Sequence, residues 1–235
     1  MLITVIGRGH SGTRAISKTL ADSGVYMGAQ LNPTWDLVPA DDMYEACRIV
    51  ARHVVHLGGT NWDFSALNTL PIDPGFTRLV ESYLASVLAS SEQRRGWKLP
   101  ETTLALPWIV RLFPENHFIY WLRDPRDSIM GQHMTDDLDR FGIPHEATDD
   151  LRLRRAISWK YQYDIMRATP FPHNRIELRF EEFVLRQDDT LAALKDFLGF
   201  PLEKIPVRTD PIGRWRLDAE RNDFDFFPRE SPHRR

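Results

Sequence analysis

The sequence predicts an α/β fold in which helices flank a central parallel sheet. Short apolar segments of strand composition alternate along the chain with longer amphipathic segments of helical period. The clearest apolar segment, HFIYWL at 117–122, is typical of a strand that is buried on both faces. Strands that alternate with helices indicate a parallel sheet, because parallel neighbours need a long crossover connection.

The N-terminal half begins with a strand and a helix on either side of a glycine-rich loop. Residues 2–6 are apolar and predict the strand, and the helix is predicted from Thr13 to Ser23, with Gly24 ending it. The further elements predicted in this half are a short strand at 25–27, helices at 40–57 and 76–91, and a loop at 58–74 that is rich in Gly, Asn, Asp and Pro.

The C-terminal half continues the alternation. Pro114 is expected to stop one helix and Gly199 another. The predicted elements are a strand end at 97–99, a helix at 102–113, the strand at 117–122, helices at 126–134 and 149–168, a strand at 175–180 and a helix at 190–198. Ligands bind at the carboxyl ends of parallel strands, so we expect the site in the loops after residues 6, 99 and 122.

Composition limits the classes to which the chain can belong. Its 235 residues carry 30 Lys and Arg against 33 Asp and Glu, a net charge of −3. This near-neutral balance argues against a general nucleic-acid coat. With 42% hydrophobic and 27% charged residues, the chain suits a globular domain with its own core. Of the 30 basic residues, 25 are Arg, whose planar guanidinium matches phosphate and sulfate oxygens.

The sequence also bears on the compartment. Cys47 is the single cysteine, so no internal disulfide can form and nothing points to an oxidising compartment. No segment reaches the roughly 18 apolar residues that a membrane span needs. Residues 1–6 lack the basic and long apolar regions of a signal peptide. We therefore expect a cytoplasmic protein.

The loop between the first strand and the first helix has the sequence GRGHSGTR at 7–14. Glycines there let backbone N–H groups surround an anion, and the helix N-terminus adds a favourable dipole. One interpretation is a dinucleotide fingerprint, because Gly7, Gly9 and Gly12 match G-x-G-x-x-G. That fingerprint also needs an acidic residue after the second strand, and residues 26–30 contain none. Another interpretation is a structural turn without a ligand.

A P-loop is the third interpretation, because Gly7 and Gly12 have the G-x-x-x-x-G spacing. P-loops for ATP or GTP continue with Lys and then Ser or Thr, which bind the β- and γ-phosphates and Mg²⁺. This chain continues with Thr13 and Arg14, and no apolar strand clearly ends in an isolated Asp that would anchor the metal. A phosphate cradle without metal ligands suits a nucleotide whose reactive group is not a γ-phosphate.

These residues resemble the sulfotransferases that use 3′-phosphoadenosine 5′-phosphosulfate (PAPS). Their phosphosulfate loop is a variant P-loop with a Ser/Gly-Gly-Thr core, matched here by residues 11–13, and bacterial and glycosaminoglycan-type members often continue with Arg-Ala, as residues 14–15 do. The resemblance implies a P-loop NTPase-like sulfotransferase fold and a nucleotide bound without metal. The nucleotide ligands that it implies in the loop are Arg8, Gly9, His10, Ser11, Gly12, Thr13 and Arg14.

Three further segments resemble family motifs, in family order. KLPE at 98–101 is similar to the K-x-P-E element, whose lysine lies near the transferred sulfuryl group. RDPRD from Arg123 is similar to the 3′-phosphate motif and implies that this arginine is a ligand, although Gly131 replaces the serine that usually follows eight residues later. IGRWR at 212–216 is similar to the segment that closes over the nucleotide, which implies Arg214 as a phosphate contact.

The resemblance also implies which side chains carry the catalysis. Lys98 would polarise the sulfuryl group or its bridging oxygen. His10 stands where many members have a loop lysine, so a protonated imidazole would supply that charge, and Arg8 is the alternative source. Separately from the resemblance, Glu101 is the candidate general base because it is adjacent to this site. Alternative bases, in segments expected to form the acceptor pocket, are Asp36, Asp41 and His133.

The predicted function is transfer of a sulfuryl group from PAPS to a hydroxyl or amine of a small-molecule or carbohydrate acceptor. A P-loop kinase-like phosphotransferase and a non-catalytic nucleotide-binding member of the family are the alternatives. Residues 1–235 are expected to form a single domain. Within it we expect a helical acceptor-side insert around 28–95 and a frayed tail from about residue 224.

Overall fold

A parallel sheet forms the centre of the fold. The computed structural model describes residues 1–220 and 222–228, and within them four parallel strands make this sheet. In chain order the elements are β1 (Leu2–Ile6), α1 (Thr13–Asp22), α2 (Asp41–Ala51), β2 (Val55–Gly58), β3 (Asn61–Asp63), α3 (Ser65–Thr69), α4 (Pro74–Tyr83), α5 (Ala85–Leu88), β4 (Arg95–Lys98), α6 (Leu106–Leu112), β5 (His117–Leu122), α7 (Pro125–Ser128), α8 (Leu151–Ala168), β6 (Arg175–Arg179), α9 (Phe180–Leu185) and α10 (Gln187–Leu198). The strand order is β4-β1-β5-β6, which confirms the predicted α/β class.

Helices cover both faces of the sheet. On β5, Phe118 and Tyr120 belong to the core that α6 and α8 share, whereas Ile119 and Trp121 belong to the core on the side of α1 and α10. Successive side chains of a strand point to opposite faces, so a strand covered on both faces needs apolar residues throughout. Because all four strands run parallel, the loops after β1, β4 and β5 leave the sheet at one edge.

The segment between α2 and α4 differs most from the sequence prediction. The helix predicted at 40–57 ends at Ala51, and the predicted loop at 58–74 contains β3 and α3. Strands β2 and β3 form an antiparallel hairpin, and its turn uses Gly58 and Gly59 at φ values of 96° and 56°. Trp62 of the hairpin packs edge-on against Tyr161 of α8 at 5.2 Å between ring centroids. This tertiary contact stabilises a short strand that local sequence does not reveal.

Other boundaries shift by smaller amounts. The helix predicted at 76–91 starts at Pro74, where Asp73 caps it by accepting from the Gly75 amide at 2.6 Å, and it breaks at Leu84 before α5. The helix predicted at 102–113 is a 3₁₀ turn over Pro100–Ala105 followed by α6. Two further differences are an isolated bridge at Tyr26 in place of the strand at 25–27, and a helix that ends at Ser128 instead of residue 134.

The C-terminal segment packs onto α8. The aromatic rings of Phe224 and Phe227 are buried, and the ring centroids of Phe227 and Trp159 lie 5.2 Å apart. The fraying predicted from about residue 224 is therefore wrong for residues 224–228. The rest of the predicted tail, residues 229–235, lies outside the described residues. Among the described residues, no helix has the length and apolar character required to cross a bilayer.

Candidate active site

The glycine loop packs against the end of β5 and the start of α9. A Cβ atom at position 7 would lie 2.5 Å from the Trp121 carbonyl oxygen, and one at Gly12 would collide with the ring of Phe180. Gly12 also has a φ of 82°, in the left-handed region that glycine adopts most easily. The indole Nε1 of Trp121 donates to the Ser11 carbonyl oxygen at 2.9 Å. Close packing therefore requires these glycines and fixes the path of the loop.

Helix α1 begins directly after the loop. Its N-cap residue is Gly12, which has no side chain to cap the first turn, and that turn contains no acidic residue. Thr13 is buried at the first helical position, whereas Arg14 is exposed beside it. The buried hydroxyl of Ser11 lies 3.4 Å from the Ser128 hydroxyl. An uncapped helix N-terminus next to a glycine loop favours a bound anion.

His10 projects from the loop toward residues 131–133. Its Nε2 lies 2.6 Å from the Gln132 carbonyl oxygen, and its ring meets that of His133 edge-on at 6.0 Å. Burial lowers the pKa of His10, so the imidazole is mainly neutral near pH 7 and does not reproduce the charge of a lysine. A Cβ atom at Gly131 would lie 2.6 Å from His10 Nδ1. His10 and Gly131, the two residues that differ from the family motifs, therefore contact each other.

Arg8 is held in a buried ion pair. Its Nη2 donates to Asp136 Oδ1 at 2.5 Å, and Nη1 donates to the carbonyl oxygens of Gly9 and Ser128 at 2.9 and 2.8 Å. Gly9 itself leaves the room that the His133 ring occupies, since a Cβ atom there would collide with the ring. The structure therefore places Arg8 and Gly9 where they brace the glycine loop against residues 128–136.

Arg123 follows β5 and has different partners. Its Nη1 donates to the His10 carbonyl oxygen at 2.8 Å, and Nη2 donates to the Pro211 carbonyl oxygen at 2.5 Å. The guanidinium also lies 4.8 Å from the ring centroid of Phe180. Arg123 forms no ion pair with a described residue. Burial in this position lowers its pKa. Its positive charge is thus oriented by neutral groups at the edge of the glycine loop.

Lys98, the last residue of β4, is buried beside the segment that precedes α2. Its Nζ donates to the Thr34 carbonyl oxygen at 2.7 Å and to Asp36. Burial lowers the pKa of Lys98, and the neighbouring Asp36 carboxylate opposes that shift. The same carboxylate accepts from the side chains of Asn32 and Thr34. The ion pair places Lys98 and Asp36, both named by sequence analysis, side by side.

Glu101 lies in the 3₁₀ turn after β4 and is also buried. Its Oε1 is 4.0 Å from His133 Nδ1, and its Oε2 has no hydrogen-bond partner among the described residues. Burial raises the pKa of Glu101 to about 7 and lowers that of His133 to about 4. These two predicted bases therefore meet, whereas Asp41 lies exposed in the first turn of α2.

The GRW segment is attached to α7 by an aspartate that sequence analysis did not identify. Asp127 is buried and accepts from the amides of Gly213 and Trp215 at 2.7 and 3.1 Å. Arg126 stacks on the Trp215 ring at 4.1 Å. Arg214 is half-buried, and its charge helps to lower the pKa values of His10 and Arg123. The sequence does offer a signal for Asp127. It is the second acid of RDPRD and lies in the first turn of a helix that starts at the predicted site.

Helix α8 lines a cleft next to Arg123. This cleft has a volume of about 180 Å³, and its wall includes the stacked rings of Trp159 and Tyr163, 5.0 Å apart. Arg167 lines the same cleft while paired with Glu177. No group of three or more His, Cys, Asp or Glu among the described residues is arranged to hold a metal ion.

Comparison with known proteins identifies similar sequences and structures among the sulfotransferases. Residues 3–204 match the family model described as "Sulfotransferase family". The sulfotransferase domain of the Synechococcus PCC 7002 olefin synthase has a similar structure, with a TM-score of 0.58, 14% sequence identity, and coverage of 96% of this chain and 91% of that one. The sulfotransferase domain from the curacin biosynthetic pathway is also similar, with a TM-score of 0.53, 15% sequence identity, and coverage of 86% of this chain and 74% of that one. A search of curated proteins found no significant match.

Proposed function

Because this chain belongs to the sulfotransferase family, whose members are transferases that move a sulfuryl group, we propose that its donor is PAPS and its acceptor a hydroxyl or amine of a small molecule or carbohydrate. The contact between the glycine loop and Arg123 is the observation that carries the proposal. The loop supplies backbone N–H groups, and Arg123 supplies a buried cation that hydrogen-bonds the His10 carbonyl of that loop. Two anion-binding elements in contact fit a nucleotide with phosphate at both ends.

The residues present fit such a nucleotide. A buried guanidinium without a carboxylate partner is costly unless a ligand anion compensates its charge, and Arg123 Nε has no hydrogen-bond partner among the described residues. We assign the 3′-phosphate to Arg123 with Arg214, and the 5′-phosphosulfate to the N–H groups of residues 9–14 and the hydroxyls of Ser11 and Thr13. The 180 Å³ cleft with its aromatic wall is the place for the adenosine.

Bound PAPS supplies an activated sulfuryl group, and the role of the protein is to hold it, place cations near its oxygens and take a proton from the acceptor. In our proposal Lys98 supplies the cation. Its ion pair with Asp36 holds the ammonium at the end of β4, next to the loop that follows β1. His10 is then a neutral hydrogen-bonding residue at neutral pH, because burial lowers its pKa.

Glu101 is the proposed general base. Its pKa of about 7 means that its carboxylate form is abundant near neutral pH, yet basic enough to accept the proton of an acceptor hydroxyl. Burial is the cause of this shift, and the orphan Oε2 is the atom we assign to the proton. His133, whose pKa of about 4 keeps it neutral, lies at 4.0 Å and lines the approach to Glu101.

Two measurements test the proposal. Calorimetric titration with adenosine 3′,5′-bisphosphate, in the presence of a metal chelator, is expected to show binding, and ATP with Mg²⁺ is expected to bind far more weakly. Incubation with ³⁵S-labelled PAPS and a panel of hydroxyl and amine acceptors is expected to label at least one product. Binding of ATP in preference to the bisphosphate would instead support a kinase-like transferase.

A cytoplasmic location is part of the proposal and depends on composition. Cys47 is the single cysteine and is buried, which suits a reducing compartment. Cell fractionation with an antibody to the chain tests this location, and recovery in a secreted or periplasmic fraction would contradict it.

A further inference from the structure

A second cleft, which the proposed chemistry leaves unused, opens on the far side of His133. Its volume is about 610 Å³, and it lies between residues 132–140 and the first turns of α8. We infer that this cleft binds the acceptor, and that the acceptor carries a carboxylate, phosphate or sulfate in addition to the group that receives the sulfuryl group. The inference rests on the proposed function and names the acceptor class for the same site.

Three arginines line the cleft, and none of them has a carboxylate partner among residues 1–220 and 222–228. Arg154 Nη2 donates to the Thr148 carbonyl oxygen at 2.8 Å, and Arg155 Nη1 donates to the Met130 carbonyl oxygen at 3.1 Å. Arg140 is exposed at the cleft wall, where its guanidinium lies 5.9 Å from the Tyr44 ring centroid. Carbonyl groups orient a guanidinium without neutralising it.

Arg152 on the same helix shows what a structural arginine looks like here. Its guanidinium donates to carboxylates of Asp218 and Glu220 and to the side chain of Asn222, and it is buried. Two and three residues further along α8, the side chains that turn to the cleft have no such partners. The difference indicates that Arg154 and Arg155 are positioned for an anion that the folded chain does not itself provide.

The acidic residues at the cleft do not remove this charge. Asp136 is already engaged, because Oδ1 accepts from Arg8 and Oδ2 accepts from the His133 amide at 2.7 Å. Asp137 Oδ1 accepts from the backbone amide of Arg140 at 3.2 Å and forms no ion pair with a described residue. One exposed carboxylate against three guanidinium groups leaves the cleft positive.

His133 connects the wall of the cleft to the proposed catalytic residues. The imidazole lines the cleft, lies 4.0 Å from Glu101 Oε1 and meets the His10 ring at 6.0 Å. An acceptor whose anionic group contacts Arg154 and Arg155 therefore extends toward the proposed base and the glycine loop. Leu151, which is 60% exposed, and Met134 add apolar surface to the same wall, as expected for a site that also contacts a carbon skeleton.

Binding of matched probes tests this inference. Glucose 6-phosphate and glucose share their hydroxyls and differ by one phosphate, and each is titrated into protein saturated with adenosine 3′,5′-bisphosphate so that the nucleotide site is blocked. We expect glucose 6-phosphate to bind at least about tenfold more tightly than glucose. The variant R154Q/R155Q is expected to lose that preference, and the single variant R140Q to lose part of it.

The control variant R186Q/R208Q removes the same charge from exposed arginines that pair with Glu182 and Asp210. It is expected to keep the preference for glucose 6-phosphate, and both double variants are expected to keep their affinity for the bisphosphate. Equal binding of the two sugars, no binding of either, or an equal loss in the control would overturn the inference. Failure of the bisphosphate itself to bind would count against PAPS as the donor instead, so the two failures are distinguishable.

Discussion

Arg8 and Arg123 follow two neighbouring strands at the same edge of the sheet, and their surroundings differ in one decisive respect. Both are buried, with 4% and 6% of their surface exposed. Arg8 donates to the carboxylate of Asp136 at 2.5 Å, whereas Arg123 donates to the carbonyl oxygens of His10 and Pro211. The charge of the first is neutralised inside the chain, and the charge of the second remains available to a ligand.

Buried cations in this region therefore differ in whether a carboxylate of the chain neutralises them. Lys98 resembles Arg8 in having a carboxylate partner, Asp36, but that partner lies in an irregular segment before α2 and is partly exposed. Glu101 is the acidic counterpart of Arg123, since it is buried with Oε2 unpartnered. An unpaired buried charge destabilises the fold unless it serves a ligand or a reaction, so these two groups are the strongest functional assignments.

The largest expected effect belongs to Glu101. The variant Glu101→Gln should lower the rate of sulfuryl transfer by a factor of about 10² to 10⁴, the usual contribution of a general base. In the native enzyme the rate should rise with pH through about 7, because the carboxylate is the active form, and the variant should lose that rise. Turnover measured against pH checks both points. Asp41→Asn changes an exposed alternative base and should retain the native profile.

The raised pKa of Glu101 also predicts a stability effect of defined sign. Since burial raises the folded-state pKa from 4.5 to about 7, the native chain loses stability as pH increases through that range, and Glu101→Gln should lack this loss. Urea unfolding at pH values below and above the range compares the two proteins. A variant that still shows the native pH dependence would contradict the assignment.

The next largest effect is expected at Arg8. Replacement by Met leaves the Asp136 carboxylate buried without its partner, which should cost about 3–5 kcal/mol in the free energy of unfolding. Urea unfolding measures the loss, and Arg8→Met/Asp136→Leu should recover part of it because neither charge is then buried alone. An Arg8→Met protein of native stability that fails to bind the bisphosphate would show that Arg8 is a ligand. That result would contradict the distinction drawn between Arg8 and Arg123.

Lys98 should affect turnover more than affinity. Lys98→Met removes the cation proposed to face the sulfuryl oxygens, and the loss of one such group typically lowers turnover by a factor of about 10² to 10³. Its bisphosphate affinity should fall less than that of an Arg123 variant, because the bisphosphate lacks the sulfuryl group. Kinetics and calorimetry on the same preparations measure the two quantities. Equal losses of affinity in the two variants would contradict the separate roles.

The smallest expected effect concerns the tether between α7 and residues 213–215. Asp127→Asn weakens the two hydrogen bonds from the Gly213 and Trp215 amides, which should reduce bisphosphate binding by about 1–2 kcal/mol. Hydrogen exchange at these two amides should accelerate in the variant. Asp210→Asn removes an exposed carboxylate nearby in sequence and serves as the control. Unchanged exchange at both amides would show that the tether does not depend on this carboxylate.

Much of the central sheet could be predicted from the sequence because local composition determines it. The segment 117–122 is strand β5 without any change of boundary, and 2–6 is β1. The glycine loop could also be located, since Gly7 and Gly12 are required by close contacts with the elements that flank it. These features depend on residues close together in the chain or on simple apolar runs.

The rest depends on contacts between distant residues. The pairing of Arg8 with Asp136 spans 128 positions, and sequence analysis therefore assigned Arg8 to the nucleotide without seeing its partner. The hairpin at 55–63 is stabilised by Trp62 packing on α8, which no local pattern reveals. Similarly, the contact between His10 and Gly131 becomes visible only when the two loops are brought together.

The most direct test of the account is the affinity of Arg123 and Arg126 variants for adenosine 3′,5′-bisphosphate. The two arginines lie in one motif, but the guanidinium of Arg126 pairs with Asp124 at 2.7 Å, whereas Arg123 has carbonyl partners. We predict that Arg123→Met weakens binding by about 2–3 kcal/mol, or about 30- to 150-fold, and that Arg126→Met changes it by less than about threefold. Equal losses in the two variants, or native affinity in Arg123→Met, would contradict the account.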